Sequence, residues 1–157
     1  MAATSLTTYL WFDTEAQEAA EFYVNLFPGS RLGGISHYQA DAQRPEGSVL
    51  TVEFELFGRP FVGLNGGPHF PHTEAVSFQV SCETQEDVDR IWDALVSDGG
   101  SESQCGWCKD KWGVSWQIIP EQLGRALQGL DGYDSVYAFK AMMQMGRIVV
   151  ADLAPRS

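Results

Sequence analysis

The sequence predicts an α+β fold made of two β-α-β-β-β modules followed by a helical appendage. Two internal echoes carry that prediction. Residues 16–27 and 84–95 put apolar side chains at matching places: Ala20, Tyr23, Val24 and Phe27 in the first, Val88, Ile91, Trp92 and Leu95 in the second. The i, i+3, i+4, i+7 spacing is one buried stripe on each of two helices. Further along each half, Phe57-Gly-Arg-Pro-Phe61 and Trp112-Gly-Val-Ser-Trp116 set an aromatic residue and a glycine just before a strand.

The same offset aligns the strands that precede the helices, residues 7–12 and 75–80, so Leu10, Phe12, Phe78 and Val80 pack beneath them. Strand alternation then sends Thr7, Tyr9 and Trp11, with Ala75, Ser77 and Gln79, to the opposite face. Gly29 and the pair Gly99-Gly100 end the helices. Residues 48–56 alternate, with Leu50, Val52, Phe54 and Leu56 on one side and Thr51, Glu53 and Glu55 on the other. The Pro/Gly-rich stretch 65–73 separates the halves. One domain is expected over residues 1–157, with module one at about 5–67, module two at about 74–120 and the appendage at 121–157. Within the appendage, residues 121–130 and 134–145 read as helices and 148–153 as a short closing strand. Val136, Phe139, Met142 and Met143 lie near helical spacing. Packing against the sheet or a second subunit is the preferred reading of that Met-rich stripe, and a ligand groove is the alternative.

A chain of 157 residues with 44% hydrophobic content, and no apolar run near the ~18 residues of a spanning helix, has a globular composition. Residues 1–8 lack the basic start and apolar core of a secretory signal, so a cytoplasmic location is expected. The formal charge of −11 would repel a phosphate backbone or anionic lipid, which argues against nucleic acid and membrane as partners. Three cysteines, an odd and low number, fit a reducing compartment better than a disulfide framework.

Several segments resemble a known family: Tyr9-Leu-Trp-Phe-Asp13, Glu18-Ala-Ala-Glu-Phe-Tyr23, Phe27-Pro-Gly-Ser30, Leu64-Asn-Gly-Gly-Pro68 and the block from Gln104 to Pro120. Together they are similar to the PhnB-like branch of the glyoxalase/bleomycin-resistance (vicinal oxygen chelate) superfamily, often labelled 3-demethylubiquinone-9 3-methyltransferase. The resemblance runs from Thr7 to about Ile148. It implies paired modules that form a curved, cavity-enclosing sheet, and a homodimer. The methyltransferase label is not read as chemistry, since no Gly-rich nucleotide loop follows a strand.

Metal-dependent members of that superfamily hold a divalent ion with four His, Glu or Gln side chains, which acts as a Lewis acid on paired substrate oxygens. The corresponding positions here are Thr7, Val62 (or Gly63), Ala75 and Gln117, and Gln117 alone is a strong donor. The resemblance therefore implies no metal and no other cofactor. His37, His69 and His72 read as surface residues. Cys105-Gly-Trp-Cys108 has redox or half-zinc spacing, but it precedes a turn and strand rather than opening a helix, and Cys82 is the sole further cysteine. Two adjacent buried thiols are the preferred reading, with a reversible disulfide and a metal pair as alternatives.

The inward polar set is Thr7, Tyr9, Trp11, Thr51, Glu53, Ser77, Gln79, Ser115 and Gln117, a cup of aromatic walls with a few hydrogen-bonding groups. Two functions suit it. One is metal-free binding of a small, planar or aromatic molecule by Thr7, Tyr9, Trp11, Thr51, Ser77, Gln79, Ser115 and Gln117. The other is an enzyme of the glyoxalase or dioxygenase type, metal-free with Glu53 as base or with an unexpected divalent ion. A carboxylate desolvated beside aromatic rings suits general-base work, whereas a Glu53 that points into solvent across an open sheet does not. The dimer surface as the functional element is a third possibility.

Overall fold

The structure, a computed structural model, describes residues 2–40 and 42–155. The chain divides into two compact units, Met1–Pro71 and His72–Ser157.

The first unit runs β1 (Thr8–Phe12), α1 (Ala16–Leu26), β2 (Arg31–His37), β3 (Val49–Leu56) and β4 (Arg59–Asn65). Its sheet has the order β1-β4-β3-β2, with β1 parallel to β4 and the other pairs antiparallel. Register assigns the faces: Phe54 lies opposite Phe61 and Val52 opposite Gly63, while Glu53 lies opposite Val62 and Thr51 opposite Leu64. The first set faces the helix, and Leu10, Phe12, Val52, Phe54, Leu56 and Phe61 are all buried. From α1, Ala16, Ala19, Ala20 and Tyr23 meet them, with Phe27 just beyond the helix end. The helix thus sits deeper than the predicted stripe implied: Val24 is half-buried, and Ala16 and Ala19 take the contact. Close approach explains it. A Cβ built on Gly63 would lie 3.0 Å from the Ala16 Cβ, so only glycine there lets the helix reach the sheet unhindered.

The first residue in α1 has no local cap. Glu15, the N-cap, makes no side-chain capping bond. Instead the Asn65 side chain accepts from the Ala16 backbone N–H at 2.9 Å and donates to the Val49 carbonyl at 3.1 Å, and the Asn65 carbonyl accepts from the Tyr38 hydroxyl at 2.6 Å. Asn65 is only 4% exposed. One buried amide therefore satisfies an orphan helix donor and ties β4 to the start of β3. The β3–β4 hairpin closes through Phe57 (φ 51°) and Gly58 (φ 76°), two residues between the paired Leu56 and Arg59. Two successive positive φ angles match the twist of the flanking strands.

The second unit repeats the layout with β5 (Ser77–Cys82), α2 (Gln85–Val96), β6 (Ser101–Glu102), β7 (Trp107–Lys109) and β8 (Ser115–Pro120), in the order β5-β8-β7-β6. Again the first and fourth strands are parallel and the rest antiparallel. Here the helix caps itself, the Thr84 hydroxyl accepting from the Asp87 N–H. All four residues of the predicted stripe, Val88, Ile91, Trp92 and Leu95, are buried. The turn before β8 differs from its echo: buried Asp110 accepts from the Trp112 and Val114 N–H groups through Oδ1 and from the Trp116 indole through Oδ2, each within 3.0 Å. Three bonds to one carboxylate fold a longer loop in place of a two-residue turn.

The appendage holds α3 (Glu121–Leu127) and α4 (Ser135–Met142), the latter capped by Asp134. Their core is Leu123, Ala126, Ala138, Ile148 and Leu153. Packing of the predicted stripe against the sheet is not seen: Val136, Phe139 and Met143 are 61%, 53% and 45% exposed on this chain, and Met142 is half-buried. A helix of two turns packed through the small Ala138 leaves its larger apolar residues outward. The expected closing strand is also absent, and Val150–Asp152 is a 3-10 turn. Gln85 takes the place of a strand partner, donating to the Ile148 carbonyl at 3.0 Å and accepting from the Val150 N–H at 2.8 Å. Among the described residues no helix is long and apolar enough to cross a membrane.

Replacing Asn65 with Ala leaves the Ala16 N–H and the Val49 carbonyl unsatisfied, and urea unfolding should show a loss of about 1–3 kcal/mol. Unchanged stability would mean that the amide is not the tie.

Candidate functional site

The helix-free face of the first sheet forms an open pocket of about 450 Å³, and Thr7, Tyr9, Glu53 and Val62 line it with Arg31 and Glu55. Register brings them together: Tyr9 pairs with Val62, Val62 with Glu53, and Glu55 with Arg31. Tyr9 is 62% exposed, a large aromatic face open to the pocket.

Glu53 is exposed rather than buried beside aromatic rings. Of the two alternatives for Glu53 this is the solvated one: the neighbouring strand β2 carries Gly33 and Gly34, whose missing side chains leave that side of Glu53 open. A Cβ on Gly33 would lie 3.0 Å from the Glu53 Cβ, and one on Gly34 would lie 3.4 Å from Oε2. The glycines coincide with a register shift between Leu32 and Ile35, where a bulge makes room for the carboxylate. No described residue hydrogen-bonds to it or pairs with its charge.

Beside it, Arg31 and Glu55 form a two-pronged ion pair, Nε and Nη2 each 2.8 Å from a carboxylate oxygen. The bonds from Arg31 hold the Glu55 carboxyl below the usual carboxylate range. Both side chains are solvated, so the pair orients more than it stabilises. Arg31 lay outside the sequence-predicted set because β2 is exposed along its whole length and shows no alternation. Glu55 was legible, two residues from Glu53 on the same face.

The rest of the expected set is dispersed. Thr51 bonds to Ser36 across β2–β3 at 2.5 Å. The Trp11 indole donates to the Gly67 carbonyl at 2.7 Å and meets the Phe70 ring edge-on at 4.8 Å, so it buttresses the Gly66-Gly67 loop. In the second unit, the Gln117 amide donates to the Ser77 hydroxyl at 2.8 Å, and Gln79 is exposed on the same face. Ser115 is buried, its hydroxyl without a partner among the described residues. It lies against a small pocket of about 130 Å³ beside the Lys109–Glu74 ion pair (2.5 Å). His37 and His69 are exposed.

A divalent metal does not fit the family's ligand positions. Thr7 and Val62 offer one hydroxyl and one aliphatic chain and Ala75 a methyl, which leaves the Gln117 amide oxygen as the single strong donor of the four. Among the described residues no group of three or more His, Cys, Asp or Glu side chains is placed to hold a metal.

The cysteines are all thiols. Cys108 sits opposite Trp116 on the helix-covered face, and burial with the nearby Asp110 charge pushes it up to about 12. Burial and the Asp87 charge push Cys82 up to about 11. Cys105 is half-buried in the loop before β7 with φ 56°. The C-x-x-C spacing thus joins two unlike environments rather than two adjacent buried thiols.

The family model described as 3-demethylubiquinone-9 3-methyltransferase matches residues 4–119. The chain belongs to this family. A PhnB protein of Bacillus cereus is 34% identical with a TM-score of 0.68, over 74% of this chain and 99% of that one. Two further structures share the fold: a protein of Pseudomonas aeruginosa (19% identity, TM-score 0.60, 76% of this chain and 98% of that one) and the fosfomycin resistance protein FosX of Listeria monocytogenes (12%, 0.51, 76% and 94%). No curated protein matches the chain. The chain falls in the PhnB-like branch. The family match ends at residue 119, short of the expected limit near Ile148, and the appendage lies beyond it.

Thiol reactivity checks the cysteine environments. At pH 8 the native protein should present one fast thiol, Cys105, and all three should react in denaturant. Because the folded-state thiols of Cys82 and Cys108 ionise later than the unfolded ones, stability should fall as pH rises from about 9 toward 11.

Proposed function

We propose that this PhnB-like protein binds a small aromatic molecule carrying a hydrogen-bond donor, without a metal, in the pocket on the first sheet. The observation that carries the reading is Glu53: an unengaged carboxylate beside the open Tyr9 ring and the Arg31–Glu55 pair, in a concavity of about 450 Å³, a size usual for small-ligand sites. Tyr9 offers a flat apolar face, Glu53 accepts a charge-assisted hydrogen bond, and Thr7 supplies a hydroxyl. Trp11 and Thr51 support that face, and Ser77, Gln79, Ser115 and Gln117 supply a second hydrogen-bonding surface of the same kind. Three free thiols support a reducing, cytoplasmic location, and the family resemblance supports a homodimer.

An enzyme using Glu53 as base is the second reading, favoured by the bulge that leaves the carboxylate unencumbered. Its exposure tells against it, because a solvated carboxylate is a weak base.

A thermal-shift screen of small aromatic amines and phenols, followed by calorimetry on the hits, tests the proposal. Tyr9→Ala and Glu53→Gln should each weaken binding about tenfold or more, a charge-assisted bond contributing about 1.5–3 kcal/mol. Equal affinity in both variants would remove the pocket from consideration. Consumption of a bound compound that Glu53→Gln abolishes while binding persists would favour the enzyme. Elemental analysis of the purified protein should find no stoichiometric divalent ion.

A further inference from the structure

The C-x-x-C motif found no role in the pocket, and its exposed member has a different partner. The Cys105 Sγ lies 3.9 Å from the Sδ of Met143, just past the end of α4. The two segments are fastened side by side. The Cys105 N–H donates to the Met145 carbonyl and the Gly106 N–H to the Gly146 carbonyl, both at 2.8 Å. Gly106 (φ 84°) is held where a Cβ would strike Ile119 at 2.8 Å, so the loop keeps its left-handed path and Cys105 keeps its aim. Both sulfurs are reachable from solvent, with Cys105 half-buried and Met143 45% exposed.

We propose that Cys105 and Met143 form a binding site for a soft monovalent metal ion of the Cu(I) or Ag(I) type. Thiolate and thioether donors select such ions over hard or borderline divalent ones. The spacing suits them: a metal about 2.3 Å from each sulfur, a usual metal–thiolate length, would subtend roughly 115° between sulfurs 3.9 Å apart. That is close to a trigonal angle and leaves the third position for a small external thiol or halide. On binding, the Cys105 thiol gives its proton to water and the thiolate takes the metal. The other two thiols do not compete, since both are buried under α2 or the strands it covers. This site is separate from the first-sheet pocket and uses none of its residues.

The test is an anaerobic titration of the reduced full chain against the coloured Cu(I)–bicinchoninate complex, with copper uptake read from the loss of colour. The wild type should take one equivalent, Cys105→Ser none, and Met143→Leu should bind about tenfold more weakly. Met143 is exposed and Leu conserves its volume, so the metal-free melting temperature of that variant should match the wild type. No uptake by the wild type, uptake by Cys105→Ser equal to it, or full affinity in Met143→Leu would each overturn the proposal.

Discussion

The first unit depends on one buried amide. Asn65 stands at the end of β4, yet its side chain caps the first residue of α1 and holds the first residue of β3. Beneath it, Gly63 removes the side chain that would keep the helix away, and Ala16, Ala19 and Ala20 fill the narrow gap. The depth of the helix fixes which face of each strand is spent on the core. Everything in the pocket follows from that choice, because Tyr9, Glu53 and Glu55 occupy the face the helix does not take. The polar site is a consequence of how closely an apolar helix can lie.

The modules were legible in the sequence for a simple reason. Stripes at helical spacing and alternation over residues 48–56 report burial directly, and the elements that bury most, α2 and β3, were the plainest to read. The parts that were hidden bury little. β2 is exposed throughout and broken by Gly33-Gly34, so Arg31 carried no pattern to mark it. In α4 the apolar spacing was real, but Val136 and Phe139 face outward, while Ala138 is buried with Met142 packed beside it. Residues 148–153 have strand-like composition, yet a side chain from α2 bonds to their backbone in place of a strand partner. Alternation placed Glu53 on its face correctly. Its solvation depended on two glycines of a neighbouring strand, which no periodicity reveals.

The fold and the ligand set that the resemblance would bring with it differ here. In each module the first and fourth strands are parallel neighbours, the first at the sheet edge and the fourth inside it. The donor side chains do not follow: a hydroxyl, an isopropyl and a methyl group stand with one amide. A fold supplies positions and the residues on them supply chemistry. Those strands carry hydrogen-bonding and aromatic side chains instead.

The two modules also differ at the ends of their parallel strand pairs. Phe12 pairs with Asn65 in the first, and Cys82 pairs with Pro120 in the second. Proline has no amide side chain to reach back to a helix, and α2 is capped by its own Thr84 instead. Relieved of that duty, the end of β8 turns directly into α3, with Pro120 as its N-cap. The two halves thus divide the labour: one spends the end of its inner strand on closing upon its own helix, and the other spends it on leading the chain outward into a further layer.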